Sequence, residues 1–132
     1  MTLYESNYIR LGWLAADLTR LADCSVSRVA ADCPLEISVL DRARFTTTLS
    51  MSYLFEEAGC TIRDPGLQLR VYHDARLVQA TSLQSAAHHP ALRRLQPELP
   101  ATADVRWSAN MLLNKWLEYC ADRGHRFQSL QA

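Results

Sequence analysis

At 132 residues the chain is long enough to bury a single core without disulfide or metal staples. With 48% hydrophobic and 21% charged residues it has the balance of a folded globular protein, which excludes disorder over most of its length. Fourteen basic residues cancel fourteen acidic ones, so no net field draws it to nucleic acid or to an anionic membrane.

The first element is a helix over 3–22. Thr2-Leu3-Tyr4-Glu5 has the spacing of a capping box. Tyr4, Tyr8, Leu11, Ala15, Leu18 and Ala22 follow at steps of three and four, and Leu14 and Leu21 widen the stripe. Residues 23–34, with Asp23, Ser25, Ser27, Asp32 and Pro34, read as a connection. A short strand is predicted over 35–41 and a clearer one over 44–54. In the latter, Phe45, Thr47, Leu49, Met51 and Tyr53 alternate with Thr46, Thr48, Ser50 and Ser52.

Asp64-Pro65-Gly66 reads as a turn. Leu67, Leu69 and Val71 alternate with Gln68, Arg70 and Tyr72, predicting a strand over 67–74, and another follows over 76–82. Residues 84–103 hold Pro90, Pro97 and Pro100, with room for a helical turn at Ala91–Leu95. Val105, Ala109, Leu112, Leu113, Trp116, Leu117 and Cys120 share one face of a closing helix over 104–123, with Gly124 placed to cap it. The tail, 125–132, is expected to be loose.

Two amphipathic helices and a half-apolar sheet bury their stripes most economically against each other. The expected fold is a single α+β domain, 1–132: a four-stranded antiparallel meander with both helices packed on its apolar face. The other face is then open and polar.

Charged and polar residues gather in Arg70-Val71-Tyr72-His73-Asp74-Ala75-Arg76. If the second and third strands pair, Thr46, Thr48 and Ser50 share a face with Arg70, Tyr72 and Asp74. Such a face suits a polar ligand or a partner's loop, although Thr, Ser and Arg also populate sheet faces that are merely wet. His73-Asp74 suggests a carboxylate-oriented imidazole, yet neighbours on a strand point to opposite faces, which favours a structural histidine. His88 and His89 have no ligand-like companions, and no zinc spacing or H-E-x-x-H occurs. Neither a G-x-S-x-G nor a phosphate-cradling glycine loop is present. Arg93 and Arg94, with Arg76 and Arg106, form a candidate basic patch. Trp107 lies off the apolar stripe of the last helix and is a candidate interface anchor, as is Trp13 on the first.

Lys115 is the only lysine beside thirteen arginines. Genomic base composition explains that skew, as does selection for arginine's planar, bidentate fork. Cys24, Cys33, Cys60 and Cys120 form no C-x-x-C pair, and the start of the chain carries no apolar leader. A cytoplasmic location with reduced thiols is expected, with no cofactor, no metal and no membrane contact.

Four stretches resemble the YqiB family of bacterial proteins, a domain of unknown function. They are Glu5-Ser6-Asn7-Tyr8 with Leu11 and Leu14, then Arg44-Phe45-Thr46-Thr47-Thr48, then Arg70-Val71-Tyr72-His73-Asp74-Ala75, and finally Asn110-Met111-Leu112-Leu113 with Trp116-Leu117-Glu118-Tyr119-Cys120. The third is the most specific. The chain departs from the pattern before and at the start of the last helix. Pro97-Glu98-Leu99-Pro100 stands near the family's Tyr-Pro-Asn, and only Asp104 and Arg106 correspond to its Asp-Glu-Lys cluster. The resemblance implies a cytoplasmic bacterial protein without an established activity. Its relatives are often encoded near a cyclic-AMP phosphodiesterase and a nucleotide-sugar hydrolase, a pointer to nucleotide signalling.

Three functions are therefore expected, in descending order. The first is a noncatalytic interaction or regulatory module, bound to a protein partner or to itself as a homodimer. The second is a sensor of a phosphate- or nucleotide-bearing small molecule. The third is a small hydrolase using His73 with Asp74. The candidate binding residues are Arg44, Thr46, Arg70, Tyr72, His73, Asp74, Arg76 and Trp107.

Overall fold

A computed structural model describes residues 1–84, 90–95 and 105–127. In chain order the elements are α1 (Leu3–Leu14), a 3-10 turn (Leu18–Arg20), β1 (Cys24–Ser27), β2 (Leu35–Arg42), β3 (Thr46–Glu57), β4 (Cys60–Tyr72), β5 (Leu77–Gln84), α2 (Pro90–Leu95) and α3 (Val105–Asp122). The sheet is an antiparallel meander of five strands, β1-β2-β3-β4-β5, and not of four. Alternation sets its two faces. Leu35, Ile37, Leu49, Met51, Tyr53, Leu67, Leu69, Val71, Val78 and Ala80 form a buried row with Leu11 and Leu14 of α1 and Leu113, Trp116 and Leu117 of α3.

The extra strand lies where a connection was expected. β1 pairs Cys24 with Ser38 and Ser27 with Leu35. It has little strand propensity of its own, and its one branched apolar residue, Val26, points outward and is exposed. The ladder to β2 makes it a strand.

Three further expectations are corrected. The first helix ends at Leu14, well short of 22. Ala15 is extended, and Asp17 accepts from the Thr19 amide to start the 3-10 turn. Leu18 and Leu21 are still buried, so the helical spacing of apolar residues outlives the helix. Asp64-Pro65-Gly66 is not a hairpin turn. It lies inside β4 beside a register shift in the β3–β4 ladder, where a residue without an N–H costs no ladder bond. The turn comes earlier, at Ala58 (φ 52°) and Gly59 (φ 80°).

The third correction concerns the tail, because residues 125–127 are not loose. The His125 amide donates to Cys120 O and the Gly124 amide to Ala121 O, a Schellman closure of α3 with Gly124 at φ 93°. The Phe127 amide then donates to Leu14 O at 2.7 Å, and both His125 and Phe127 are buried. Residues 128–132 lie outside the described residues, as do His88, His89 and the stretch 96–104.

The sheet's two edges are treated differently. On β5, the Ala80 amide donates to Asn110 Oδ1 at 2.8 Å and Ala80 O accepts from Asn110 Nδ2 at 3.3 Å. Val78 O accepts from Asn7 Nδ2 at 3.2 Å. Two buried helix asparagines thus stand in for a sixth strand at Val78 and Ala80 and close that part of the edge. At the β1 edge no such side-chain closure is found among the described residues.

Candidate functional site

The register places the expected polar residues side by side on the open face. Thr46 pairs with Tyr72, Thr48 with Arg70, and Ser50 with Gln68, while Gln79 of β5 flanks Arg70 on its other side. Arg70 is exposed, and among the described residues no carboxylate pairs with it. Other arginines are engaged: Arg10 with Glu118, Arg42 with Asp23, and Arg63 with Glu36. Tyr72 Oη makes a long bond to Gln79 Oε1 at 3.5 Å.

Two hairpin turns at the end of this face carry the rest. Phe45 O accepts from the His73 amide at 2.9 Å, which fastens the turn after β2 to the turn after β4. Arg44 lies over the Phe45 ring, 5.1 Å from its centroid, and both are exposed. Asp74 and Arg76 are exposed in the β4–β5 turn, Arg76 in the left-handed region at φ 55°. His73 Nε2 is taken by Thr47 Oγ1 at 2.8 Å, on the buried side of β3. No hydrogen bond joins His73 to Asp74 among the described residues, and the bond to Thr47 is of the structural kind favoured for this histidine. Trp107 is 47% exposed, but it stands on α3 in the helix layer and not with the others.

The open face has a second cluster nearer β1. Glu36 accepts from Arg63 Nε at 2.7 Å and from its Nη2 at 3.4 Å, and the Cys24 thiol lies 3.5 Å from Glu36 Oε2. The Arg63 hydrogen bonds hold the Glu36 carboxyl below its ordinary value, against the opposing effect of burial.

A buried polar network escaped the sequence reading. Asp32 Oδ2 accepts from Tyr53 Oη at 2.5 Å and faces His125 Nε2 at 3.1 Å. On the other side of the imidazole, His125 Nδ1 lies 3.0 Å from Ser27 Oγ, which also accepts the Arg126 amide at 3.1 Å. Cys120 Sγ lies 3.6 Å from Tyr53 Oη. Burial is the first cause that pushes both the Tyr53 phenol and the Cys120 thiol up, so both stay protonated. Asp32 and His125 side chains are 1% and 0% exposed. Nothing in the local pattern announces these partners, which come from β1, the following loop, β3 and the segment after α3. A serine in a loop and a histidine beside a C-cap glycine carry no signal until the chain is folded.

The network fixes one wall of a cleft of about 420 Å³, whose lining includes Val26, Arg28, Val29, Gly124, Arg126 and Phe127. Among the described residues no group of three or more His, Cys, Asp and Glu side chains is placed to hold a metal ion, and no helix is long and apolar enough to cross a membrane.

Fold and surface together define a small α+β protein with helices on one side of an antiparallel sheet and a polar open face on the other. The chain belongs to the family described as "Protein of unknown function (DUF1249)", whose model matches residues 10–126. No curated protein and no solved structure matches it.

Proposed function

We propose that this protein is a small interaction module that engages a protein partner, or a second copy of itself, through the open face of its sheet. The observation that carries the reading is Arg70: an exposed guanidinium, without a carboxylate partner among the described residues, set between Thr48 and Gln79. Arginine in such a setting supplies much of the energy of many interfaces, through bidentate bonds that a lysine cannot make. Tyr72 and the Arg44–Phe45 stack extend the surface toward the two fastened turns. The segments that resemble the YqiB family, with Arg44 to Thr48 and Arg70 to Ala75, meet at this end of the sheet, which supports the same location. Cytoplasmic placement remains part of the proposal.

Native mass spectrometry of the tagged protein, purified gently from its own cells, tests the reading. A stoichiometric partner or homodimer that Arg70→Ala releases, with the fold intact, supports it. A complex indifferent to Arg70→Ala and Tyr72→Ala counts against this face.

The second reading is a sensor for a phosphate-bearing small molecule, and the same exposed arginine beside Thr48, near Thr46 and Ser50, favours it. It predicts stabilisation by about 2.7 kcal/mol at a hundred times the dissociation constant. No thermal shift across a nucleotide panel would dispose of it.

A further inference from the structure

We infer that the outer edge of β1, which pairs with no strand among the described residues, is a docking site for an extended acidic peptide of a partner protein, which would add to the sheet as a sixth strand. The backbone supplies the first part of the argument. Val39 N donates to Asp23 O at 2.7 Å, and the β1–β2 register continues from Cys24–Ser38 to Ser27–Leu35. Bonded positions alternate along an antiparallel ladder, so Asp23, Ser25 and Ser27 turn their amides and carbonyls to β2. Cys24 and Val26 turn theirs away from the sheet. That is the template used when a peptide strand adds to a sheet edge.

The contrast with β5 is the second part. There, Asn7 and Asn110 occupy the outward backbone groups of Val78 and Ala80. The same fold that closes one edge with buried side chains leaves the other bordering a cleft of about 420 Å³.

The cleft's construction is the third part. Its far wall, Gly124 to Phe127, is held by the Schellman closure, by the Phe127 bond to Leu14 O, and by the His125 bridge between Ser27 and Asp32. A wall fixed in advance lowers the ordering cost of binding. Arg28 and Arg126 both line the cleft and are exposed. Among the described residues Arg28 has no carboxylate partner, and Arg126 reaches only Trp13 O at 3.4 Å. Asp32, the acid nearest Arg28 in sequence, is buried and already shared by Tyr53 and His125. Two cations beside a free strand edge select carboxylates on the incoming strand.

This site rests on the interaction reading only in making the chain a docking module, and the two surfaces are separable by experiment. The probe is a fluorescein-labelled hexapeptide of alternating valine and glutamate, titrated into the whole chain and read by fluorescence polarisation, with amide shifts of the isotope-labelled protein recorded in parallel. Saturable binding is expected, with the largest shifts at Cys24, Val26 and Arg28, and a lysine-for-glutamate peptide should fail to bind. Arg28→Glu and Arg126→Glu should each weaken binding about ten-fold. Val26→Pro should abolish it with the fold intact, because the amide it removes faces no strand among the described residues.

Three results would overturn the site. The first is no saturation at millimolar peptide. The second is shifts confined to Thr48, Arg70 and Tyr72, which would leave the open face as the only docking surface. The third is a dimer whose Cys24 and Val26 amides are protected from exchange without peptide, which would put a second copy on the edge.

Discussion

Replacing His125 with alanine tests the buried network directly. The imidazole bridges Asp32 Oδ2 at 3.1 Å and Ser27 Oγ at 3.0 Å, with no exposed side-chain surface of its own. Its loss takes one hydrogen-bond partner from the buried Asp32 carboxyl, and leaving such a group short of a partner costs about 1–3 kcal/mol. Ser27 keeps the Arg126 amide, so that end loses one neutral bond, about 1 kcal/mol. The void left beside the Tyr53 ring, 6.3 Å away centroid to centroid, adds about 1 kcal/mol. The sum is about 4 kcal/mol, a large part of the roughly 5–15 kcal/mol that holds such a domain together. At roughly 3 °C per kcal/mol for a chain of this size, the melting temperature should fall by about 12 °C. Urea titration of His125→Ala, Asp32→Asn and the double variant gives the coupling between them. It should exceed about 1 kcal/mol, because the two side chains share one hydrogen bond. Hydrogen exchange should speed up at the Arg126 and Phe127 amides before it does in β3. A cost below about 1 kcal/mol, or strictly additive effects, would refute the claim that this network pins the segment after α3.

Other consequences are checked more briefly. Asn110→Leu strands the buried Ala80 amide and takes one partner from Asn7, and should cost about 3 kcal/mol by urea titration. Asn110→Asp should not restore it, because the donor to Ala80 O is lost. The Glu36 carboxyl is held below its ordinary value of 4.5, so its contribution is fully present above that pH and is lost as pH falls through the lower folded value. Glu36→Gln should therefore flatten the acid limb of a stability-against-pH curve between neutral and strongly acidic solution. Arg63→Ala should cost only about 1 kcal/mol near neutrality, since the guanidinium is more than half exposed. Gly124→Ala forces a side chain onto φ 93° and should destabilise by about 1 kcal/mol in thermal melts.

Period-two alternation made the central strands legible. The Thr46–Ser52 row and the Gln68–Tyr72 row fell on one face because Leu49, Met51, Leu67 and Leu69 have to fall on the other. The capping box at Thr2 and Glu5 and the glycine after α3 were legible too, because both act within a few residues of sequence. Features made by distant partners were not. β1 exists through its ladder to β2. Asn7 is buried where a helical stripe would put an apolar residue, because Val78 O and the Asn110 and Asn114 side chains satisfy it. His125 looked like the start of a frayed tail because a Schellman glycine usually ends an element. Here it turns the chain back along β1. Proline at 65 misled for the opposite reason: its local signal is strong, but a bulge inside a long strand accommodates it as readily as a turn.

The two surfaces argued above meet. Cys24 pairs with Ser38, Ser38 with Ser50, and Ser50 with Gln68, so one unbroken row crosses the sheet from the β1 edge to β4. Arg70 lies two residues further along β4, the next side chain after Gln68 on the same face. Three strand spacings of about 4.8 Å separate β1 from β4, roughly 14 Å, which is within the footprint of one modest interface. On the two proposals above, a partner strand on β1 and a contact at Arg70, which has no carboxylate partner among the described residues, would fall within one such footprint. The polar face and the outer edge of β1 would then serve one docking geometry. The buried asparagines at β5 and the buried histidine beside β1 complete it: the first removes the competing edge, and the second holds the cleft wall in place.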